Sequence, residues 1–267
     1  MGIATDPIVA DGNGMIIDDL TTSQATVAHV MPSHQYPTGS VMSIARRYEL
    51  LGWATQKPYR YIIEDDYDAE LRFSGQPIPT LSSIDVSEKV IYINTFAKTL
   101  GSAFRIGYMV LPIHLMKLFQ SKLGFYSCSV STLDQLSLAR FIESGEYERH
   151  NNRLKVYYKT IAHLLSEVIE RFDATGKACL SQVSAGTHCL LRVPKDLAAR
   201  GLYCDLFQVL EHVQVLHMPL AAFCMDTSQG SQMLINQVIG EDQDVYVLDY
   251  AHAESNMLQE LLYTPSE

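Results

Sequence analysis

A lysine just beyond an apolar strand constrains the fold of this chain more than any other feature. Residues 90–93 (Val-Ile-Tyr-Ile) have the composition of a buried strand, and Lys98 follows them closely. Open α/β sheets bind their ligands at the carboxyl ends of their strands, which is where Lys98 would lie. Lys98 could form an imine with an aldehyde, while Thr95 and Arg105 could hold a phosphate. The alternative is a solvated lysine beside an unrelated arginine.

A second apolar run, residues 61–63, ends in acids and a tyrosine. Asp65 and Tyr67 share one face of this extended segment, because side chains in a strand repeat every two residues. Besides an imine-forming lysine and a phosphate site, pyridoxal phosphate needs a carboxylate at its pyridinium nitrogen and a hydroxyl near its ring oxygen. Asp65 and Tyr67 would supply these groups. An acidic loop at a strand end is the alternative interpretation of this run.

Together, residues 61–73 (YIIEDDYDAELRF) and 95–108 (TFAKTLGSAFRIGY) resemble the aminotransferases of fold type I. They closely resemble the MocR-type branch of the GntR superfamily of transcriptional regulators, in which an aminotransferase-like domain is fused to a DNA-binding region. The resemblance implies that Lys98 carries pyridoxal 5'-phosphate (PLP) as an internal aldimine. It also implies that Asp65 and Tyr67 bind the cofactor ring and that Thr95 and Arg105 bind its phosphate.

A turn after a third predicted strand (residues 27–31) adds to the resemblance. Residues 32–39 (PSHQYPTG) are similar to the PxNPTG turn of the family, whose MocR form reads SHQ(F/Y)P(T/S)G. Tyr36 stands where the family has an asparagine that reaches the ring oxygen of the cofactor. The resemblance therefore implies that His34 or Gln35 takes over part of that contact. A turn kept for its shape alone is the alternative.

The length and the pattern of elements define the expected architecture. We expect an α/β protein of the PLP-dependent transferase class (aminotransferase fold type I), with a partial, mainly parallel sheet and a small α+β C-terminal domain. The sheet should contain about four strands, with residues 106–111 returning antiparallel and one edge left unpaired. Long helical patterns begin at Ile113. We therefore expect a partial large PLP-binding domain at residues 1–114, and interdomain helices with the small domain at 115–267.

The resemblance begins partway through the large domain of the family. We therefore expect an N-terminally truncated chain that lacks the winged helix-turn-helix and the opening part of the large domain. Its net charge of −10 argues against direct binding to nucleic acid or to an anionic membrane. The sequence contains no run of about 20 apolar residues, which is the length that a membrane span needs, and no export signal is recognisable. The five cysteines lack CxxC spacing, which favours reduced thiols, a cytoplasmic location and no metal site.

Residues 43–54 (SIARRYELLGWA) are amphipathic at helical spacing. The pattern predicts a helix with Arg46 and Arg47 on its solvated face. The residues predicted to face the core are Ile44, Tyr48, Leu51 and Trp53. Residues 149–155 (RHNNRLK) resemble the RHIRRMR segment of the family, and we expect a solvated or subunit-facing helix there.

The last part of the chain resembles the small domain of the family. Residues 184–193 (SAGTHCLLRV) carry its AGxH motif, and we expect His188 and His252 to be structural residues. Residues 247–250 (VLDY) match the RLGF-like strand, in which family members that act on amino acids carry a carboxylate-binding arginine. Here that arginine is absent and Asp249 replaces a glycine, with Arg192 as the one nearby substitute. Losing such a clamp costs several kcal/mol of binding, so transamination of an amino acid is disfavoured.

Three functions therefore remain open. The first is a sensory domain, in which Lys98 binds PLP, an amino acid or amine effector meets the cofactor, and the domain reports to an attached DNA-binding region. The second is an aminotransferase that uses Lys98 as imine partner and proton shuttle. The third is a fragment that only dimerises and binds no cofactor. We favour the sensory domain for the parent protein, with a homodimer as its assembly and DNA contacted only through the winged-helix region.

Overall fold

The computed structural model describes residues 2–73, 78–101, 103–172, 178–181, 183, 185–195, 206, 208, 210–219 and 243–263. Within these residues the chain forms two four-stranded sheets and one two-stranded hairpin, which are connected by helices. The first sheet is mainly parallel, and the second is antiparallel. The predicted α/β class, with a partial parallel sheet followed by an α+β part, is confirmed.

The N-terminal half of the chain builds the first sheet. Its elements are β1 (Ala10–Asp11), β2 (Gly14–Met15), α1 (Ile17–Thr22), β3 (Val27–Val30), α2 (Ile44–Thr55), β4 (Tyr61–Asp65), a 3-10 turn (Ala69–Leu71), α3 (Leu81–Ile84), β5 (Val90–Thr95), α4 (Ala97–Leu100) and β6 (Gly107–Val110). The strand order is β3-β4-β5-β6, and β6 alone runs antiparallel to its neighbour. The predicted antiparallel return is therefore confirmed. The prediction of one unpaired edge is wrong, because β3 and β6 both lack a second neighbour within the described residues.

Three helices lead from the first sheet to the second. They are α5 (Ile113–Leu123), α6 (Thr132–Glu143) and the long α7 (Glu146–Phe172). The second sheet has the order β7 (Cys179–Ser181), β8 (His188–Pro194), β10 (Gln243–Asp249) and β9 (Leu216–Pro219), and the last element is α8 (Ser255–Tyr263). Ser184, at the start of the segment with the AGxH motif, lies outside the described residues. None of the helices in the described part of the chain is long and apolar enough to cross a membrane.

Each sheet buries its own hydrophobic cluster. One cluster lies between α1, α2 and the first sheet, and includes Leu20, Leu50, Trp53 and Ile62. The other joins α7 to the second sheet and to α8, and includes Ile161, Leu165, Leu191 and Leu258. The first sheet is therefore stabilised by its own hydrophobic cluster, and its strand ends can carry polar side chains because the packing does not depend on them.

Helix α2 begins where its sequence predicts, but it presents a different face to the core. Ser43 caps the helix by accepting a hydrogen bond from the backbone N–H of Arg46. Leu51 and Trp53 are buried as predicted, whereas Ile44 and Tyr48 are exposed. Arg47 is fully buried and does not lie on a solvated face. The helix forms as predicted, but the prediction of its buried face is partly wrong, because Arg47 has buried partners elsewhere in the chain.

Candidate functional site

The site lies at the edge of the first sheet where its parallel strands end. β3, β4 and β5 run in the same direction, so their carboxyl ends meet at one edge. The turn after β3 carries His34 and Gln35, β4 ends at Asp65, and β5 leads directly into the helix that contains Lys98. Three segments that are distant in sequence therefore bring their polar side chains to one edge.

Lys98 lies in the short helix α4 and is partly buried. Thr95 stabilises the turn into this helix, because its hydroxyl donates to the carbonyl of Ile106 at 3.2 Å and accepts from the N–H of Ala97 at 3.2 Å. The hydroxyl of Thr95 is thus already hydrogen-bonded within the chain. Arg105 is exposed, just before β6.

The start of α7 holds α4 in place from the opposite side. The Nε2 atom of His150 donates to the carbonyl of Thr99 at 2.7 Å, and the hydroxyls of Thr99 and Tyr147 lie 3.1 Å apart. The ring of Phe96 packs edge-on against the ring of Tyr147. The RHNNRLK segment therefore contributes one histidine to the support of Lys98, while Arg149 remains exposed and pairs with Glu146.

Asp65 faces away from the core of the first sheet. Its carboxylate lies 3.2 Å from Nε2 of His29, and the Asp65 side chain is 22 % exposed. Its neighbour Glu64 points to the opposite face and is fully buried, as strand alternation requires. A carboxylate in this position can bind a cationic ring nitrogen, provided that the side chain of His29 moves away from it.

Tyr67 carries a buried hydroxyl that has no hydrogen-bond partner within the described residues. Burial, together with the charge of Asp68, raises the pKa of Tyr67, so this hydroxyl remains protonated. Its ring lies 6.4 Å from that of His34 and 6.4 Å, edge-on, from that of Tyr36. A buried donor without a partner is costly, so the hydroxyl fits the oxygen of a bound ligand.

His34 is buried behind Tyr67. Its Nδ1 atom lies 2.6 Å from Oδ2 of Asp68, and both side chains are almost completely excluded from solvent. Gln35, by contrast, turns toward solvent and donates to the carbonyl of Tyr36 at 3.3 Å. The two residues suggested as replacements for the family asparagine therefore occupy different environments.

His188, which the sequence predicts to be structural, joins the same group. Its ring lies 4.3 Å from the ring of His34 and 5.4 Å from that of Tyr36. Burial, the proximity of His34 and the charge of Lys98 lower the pKa of His188 to about 3, so the ring is neutral at ordinary pH. In the sequence, the AGxH motif is the feature that points to His188.

Gly186 allows the second sheet to approach the first at this point. Its φ angle is +72°, and its N–H donates to the carbonyl of Leu71 at 2.9 Å. A Cβ atom at this position would collide with the ring of His34 and lie 2.6 Å from Oδ2 of Asp68. Only glycine adopts this backbone conformation and leaves the necessary space.

A large cleft opens in front of this group of residues. Its volume is about 1090 Å³, and its walls include His29, Gln35, Tyr36, Ile63 and Arg192. Its lining residues do not include Asp65, Tyr67, Thr95, Lys98 or Arg105. The structure therefore brings Tyr67, His34 and His188 together, and it places Lys98 at the same edge of the sheet, Gln35 at the cleft and Arg105 at the surface.

Comparison with known proteins relates the chain to transcriptional regulators. No protein-family model matches it. It is 40 % identical over 187 residues to the uncharacterized HTH-type transcriptional regulator YhdI of Bacillus subtilis, covering 70 % of this chain and 39 % of that protein. It is 37 % identical over 155 residues to the probable rhizopine catabolism regulatory protein MocR of Rhizobium meliloti, covering 57 % of this chain and 31 % of that protein. The chain thus spans less than half the length of these relatives.

Solved structures establish the fold. Kynurenine aminotransferase of Pyrococcus horikoshii, solved in complex with PMP and KYN as substrates and KYA as products, superposes with a TM-score of 0.69 at 22 % identity. The match covers 95 % of this chain and 60 % of that one. The aminotransferase fold implied by the family resemblance is therefore confirmed.

Proposed function

We propose that this chain, a relative of the MocR-type transcriptional regulators with the fold of a type I aminotransferase, is the PLP-binding, effector-sensing domain of such a regulator. One observation carries the proposal. Lys98 follows β5 at the edge where the parallel strands end, the edge that also carries Asp65 and the turn with His34, and Tyr67 beside them has a buried hydroxyl without a hydrogen-bond partner within the described residues. A partly buried amine, a buried donor and a nearby carboxylate are the groups that this cofactor requires.

Each predicted site residue receives a role in this proposal. Lys98 would hold the cofactor through its amine, the group that reacts with an aldehyde. Tyr67 would donate to the ring oxygen, and Asp65 would lie beside the ring nitrogen. The bound cofactor would supply an electron-withdrawing ring that reacts with amines.

The remaining predicted residues would complete the binding of the cofactor. Thr95 and Arg105 bind the phosphate, with Arg105 able to turn inward from the surface because it is exposed. His34 supports the ring of Tyr67 from behind, and Gln35 offers a side-chain amide from the cleft wall.

The charges around the cleft favour an effector with an amino group. Asp249 pairs with His188 in the register of β10 and β8. Burial raises the pKa of the Tyr36 hydroxyl, and the charge of Asp249 adds a smaller contribution to this rise. A carboxylate near the mouth of the site attracts a cationic amine and repels an anion. Arg192 on the cleft wall can bind a carboxylate at the other end of an amino acid.

The finer features of the regulator follow from the same proposal. The chain acts as part of a homodimer in the cytoplasm, and the parent regulator contacts DNA through a winged-helix region. Residues 1–114 form the partial large domain, and residues 115–267 form the interdomain helices and the small domain. An effector that binds one arrangement of these parts more tightly than another would shift their populations.

A titration with PLP tests the proposal. The purified chain is titrated in the near-ultraviolet and visible range, and the adduct is then reduced with borohydride and located by peptide mass spectrometry. We expect a saturable absorbance band and a cofactor mass on the peptide that contains Lys98. Lys98→Ala should lose both signals, whereas Lys117→Ala, at an exposed lysine of α5, should retain them. A band of equal intensity in Lys98→Ala would contradict the assignment.

An aminotransferase is the second candidate, since the fold is shared with these enzymes. Amino acids added to the PLP-loaded chain would then release the keto acid and leave the amine form of the cofactor, which absorbs at a different wavelength. A spectral change that reverses when the effector is removed by dialysis, without keto acid, would instead support sensing. If the chain binds no PLP at all, the dimerising fragment is the surviving alternative.

A further inference from the structure

A buried cluster of metal-ligating side chains joins the two sheets. His34, Asp68 and His188 are each only 2–3 % exposed, and one potential ligand atom from each lies within 4.8 Å of those of the other two. Two imidazoles and one carboxylate form a donor set that suits zinc, iron, cobalt and nickel. None of these residues is a cysteine, so the cysteine spacing that predicts no metal site carries no information about this cluster.

The cluster is not satisfied by its own hydrogen bonds. The Nε2 atoms of His34 and His188 are both buried and have no hydrogen-bond partner within the described part of the chain. Buried polar atoms in proteins almost always have a partner, so two unpartnered imidazole nitrogens in adjacent rings indicate a ligand between or beside them. The Nδ1 atom of His34 lies 2.6 Å from Oδ2 of Asp68, so an ion bound by both side chains would replace this hydrogen bond.

The surroundings of the cluster are rich in buried acids. Oδ1 of Asp66 and Oε2 of Glu70 are buried without a hydrogen-bond partner in the described residues. Both lie within two residues of Asp68, so three carboxylates are concentrated in a short segment. A divalent cation would offset this concentration of negative charge. Arg72 also lines the space beside the cluster and supplies one positive charge.

A small cavity beside the cluster provides room for the remaining ligands. Its volume is about 190 Å³, and its walls include Ser33, His34, Asp66 and Asp68. This space can hold several water molecules, because a water molecule occupies roughly 30 Å³ in the liquid. A metal bound by three side chains would therefore complete its coordination with water.

We propose that His34, Asp68 and His188 bind one divalent first-row transition-metal ion, with water as the remaining ligand. The ion would tie the turn after β3 and the segment after β4 to the first residue of β8, and so would hold the second sheet against the first. Gly186 makes this approach possible, because a side chain there would displace His34 from Asp68. The metal site can be tested separately from PLP, because Lys98, the residue proposed to react with the cofactor, is not one of its three ligands.

The test uses Co²⁺ as a spectroscopic probe on the full chain without PLP. The protein is dialysed against a chelator, the chelator is removed, and Co²⁺ is added while visible absorbance and the melting temperature are recorded. We expect saturation at one ion per chain, with the visible bands of a low-symmetry nitrogen–oxygen site and a higher melting temperature. His188→Gln and Asp68→Asn, checked for folding by circular dichroism, should each weaken binding at least tenfold.

Two controls make the result specific. His114→Ala removes an exposed imidazole that also lies beside a carboxylate, with its Nδ1 atom 3.0 Å from Glu88, and should bind Co²⁺ as the parent does. Lys98→Ala should likewise keep the metal site, which separates this proposal from the binding of PLP. Failure of the parent chain to bind Co²⁺ stoichiometrically, or equal binding by the parent and His188→Gln, would overturn the proposal. The first of these outcomes does not require any variant to fold.

Discussion

The guanidinium of Arg47 and the carboxylate of Glu64 lie 3.9 Å apart, and neither side chain is exposed to solvent. Arg47 also donates to the carbonyls of Pro32, Met42 and Pro79, while Glu64 accepts from the N–H groups of Leu81 and Ser82 at the start of α3. The pair therefore connects α2, β4 and α3 beneath the site, and holds the turn that leads to His34.

Removal of the guanidinium should destabilise the fold strongly. Arg47→Met leaves Glu64 buried without its cation, and several carbonyls lose their donor, so we expect a loss of about 3–5 kcal/mol in the free energy of unfolding. Urea denaturation followed by circular dichroism measures this loss. Arg149→Met, at an exposed ion pair on α7, should have little effect. Equal stability of the two variants would contradict the structural role of Arg47.

The pH dependence of stability should carry a contribution from Glu64. Burial raises the pKa of this carboxyl above its ordinary value of 4.5, in spite of the hydrogen bonds from Ser82 and Leu81 and the charge of Arg47. Between 4.5 and the raised value, the folded state binds more protons than the unfolded state. The free energy of unfolding from this group therefore falls as pH rises through that window, and it levels off above it.

Glu64→Gln isolates this contribution. The variant cannot ionise at position 64, so its stability should decline less steeply than that of the parent as pH rises from 4.5. Urea denaturation at half-unit pH intervals, with a chelator present, gives the two slopes. Parallel curves for parent and variant would show that the pKa of Glu64 does not differ between the folded and unfolded states.

Gly186 should tolerate no side chain. Gly186→Ala places a methyl group against His34 and Asp68 at a positive φ angle, and we expect a loss of about 1–3 kcal/mol in the free energy of unfolding. Gly52→Ala is the matched control, because nothing lies within 4 Å of the added atom on α2. That helical control should gain about 0.5–1 kcal/mol. A neutral result at position 186 would show that the second sheet does not depend on this close approach.

Asp65 should control the affinity for PLP. Asp65→Asn removes the anionic partner of the ring nitrogen, so PLP should bind more weakly and its protonated-ring absorbance should decrease. His29→Ala removes the residue that now contacts Asp65, so affinity should be preserved or increased. Fluorescence or absorbance titration measures both constants. If Asp65→Asn binds with the parent affinity and spectrum, another group contacts the ring.

Local patterns were sufficient for most of the first sheet. The apolar runs at β3, β4 and β5 and the helical pattern of α2 all depend on neighbours in sequence, and these elements form where they are predicted. Helix α2 shows the limit of this approach. Its buried residues are Arg47, Leu50, Leu51, Trp53 and Ala54. Periodicity alone could not select Arg47 over Ile44 and Tyr48, because the burial of Arg47 depends on Glu64 in a strand.

The order of residues is enough to place a lysine, a carboxylate and a tyrosine at the ends of apolar strands, because strand composition and alternation are local properties. The meeting of His188 with His34 and Asp68 follows only from the folded arrangement, since these residues are far apart in the chain. Their meeting requires β8 to pair with β10, and it requires Gly186 to let the second sheet reach the first. Contacts of this kind depend on how two separately packed sheets fit together, and no local pattern encodes that fit.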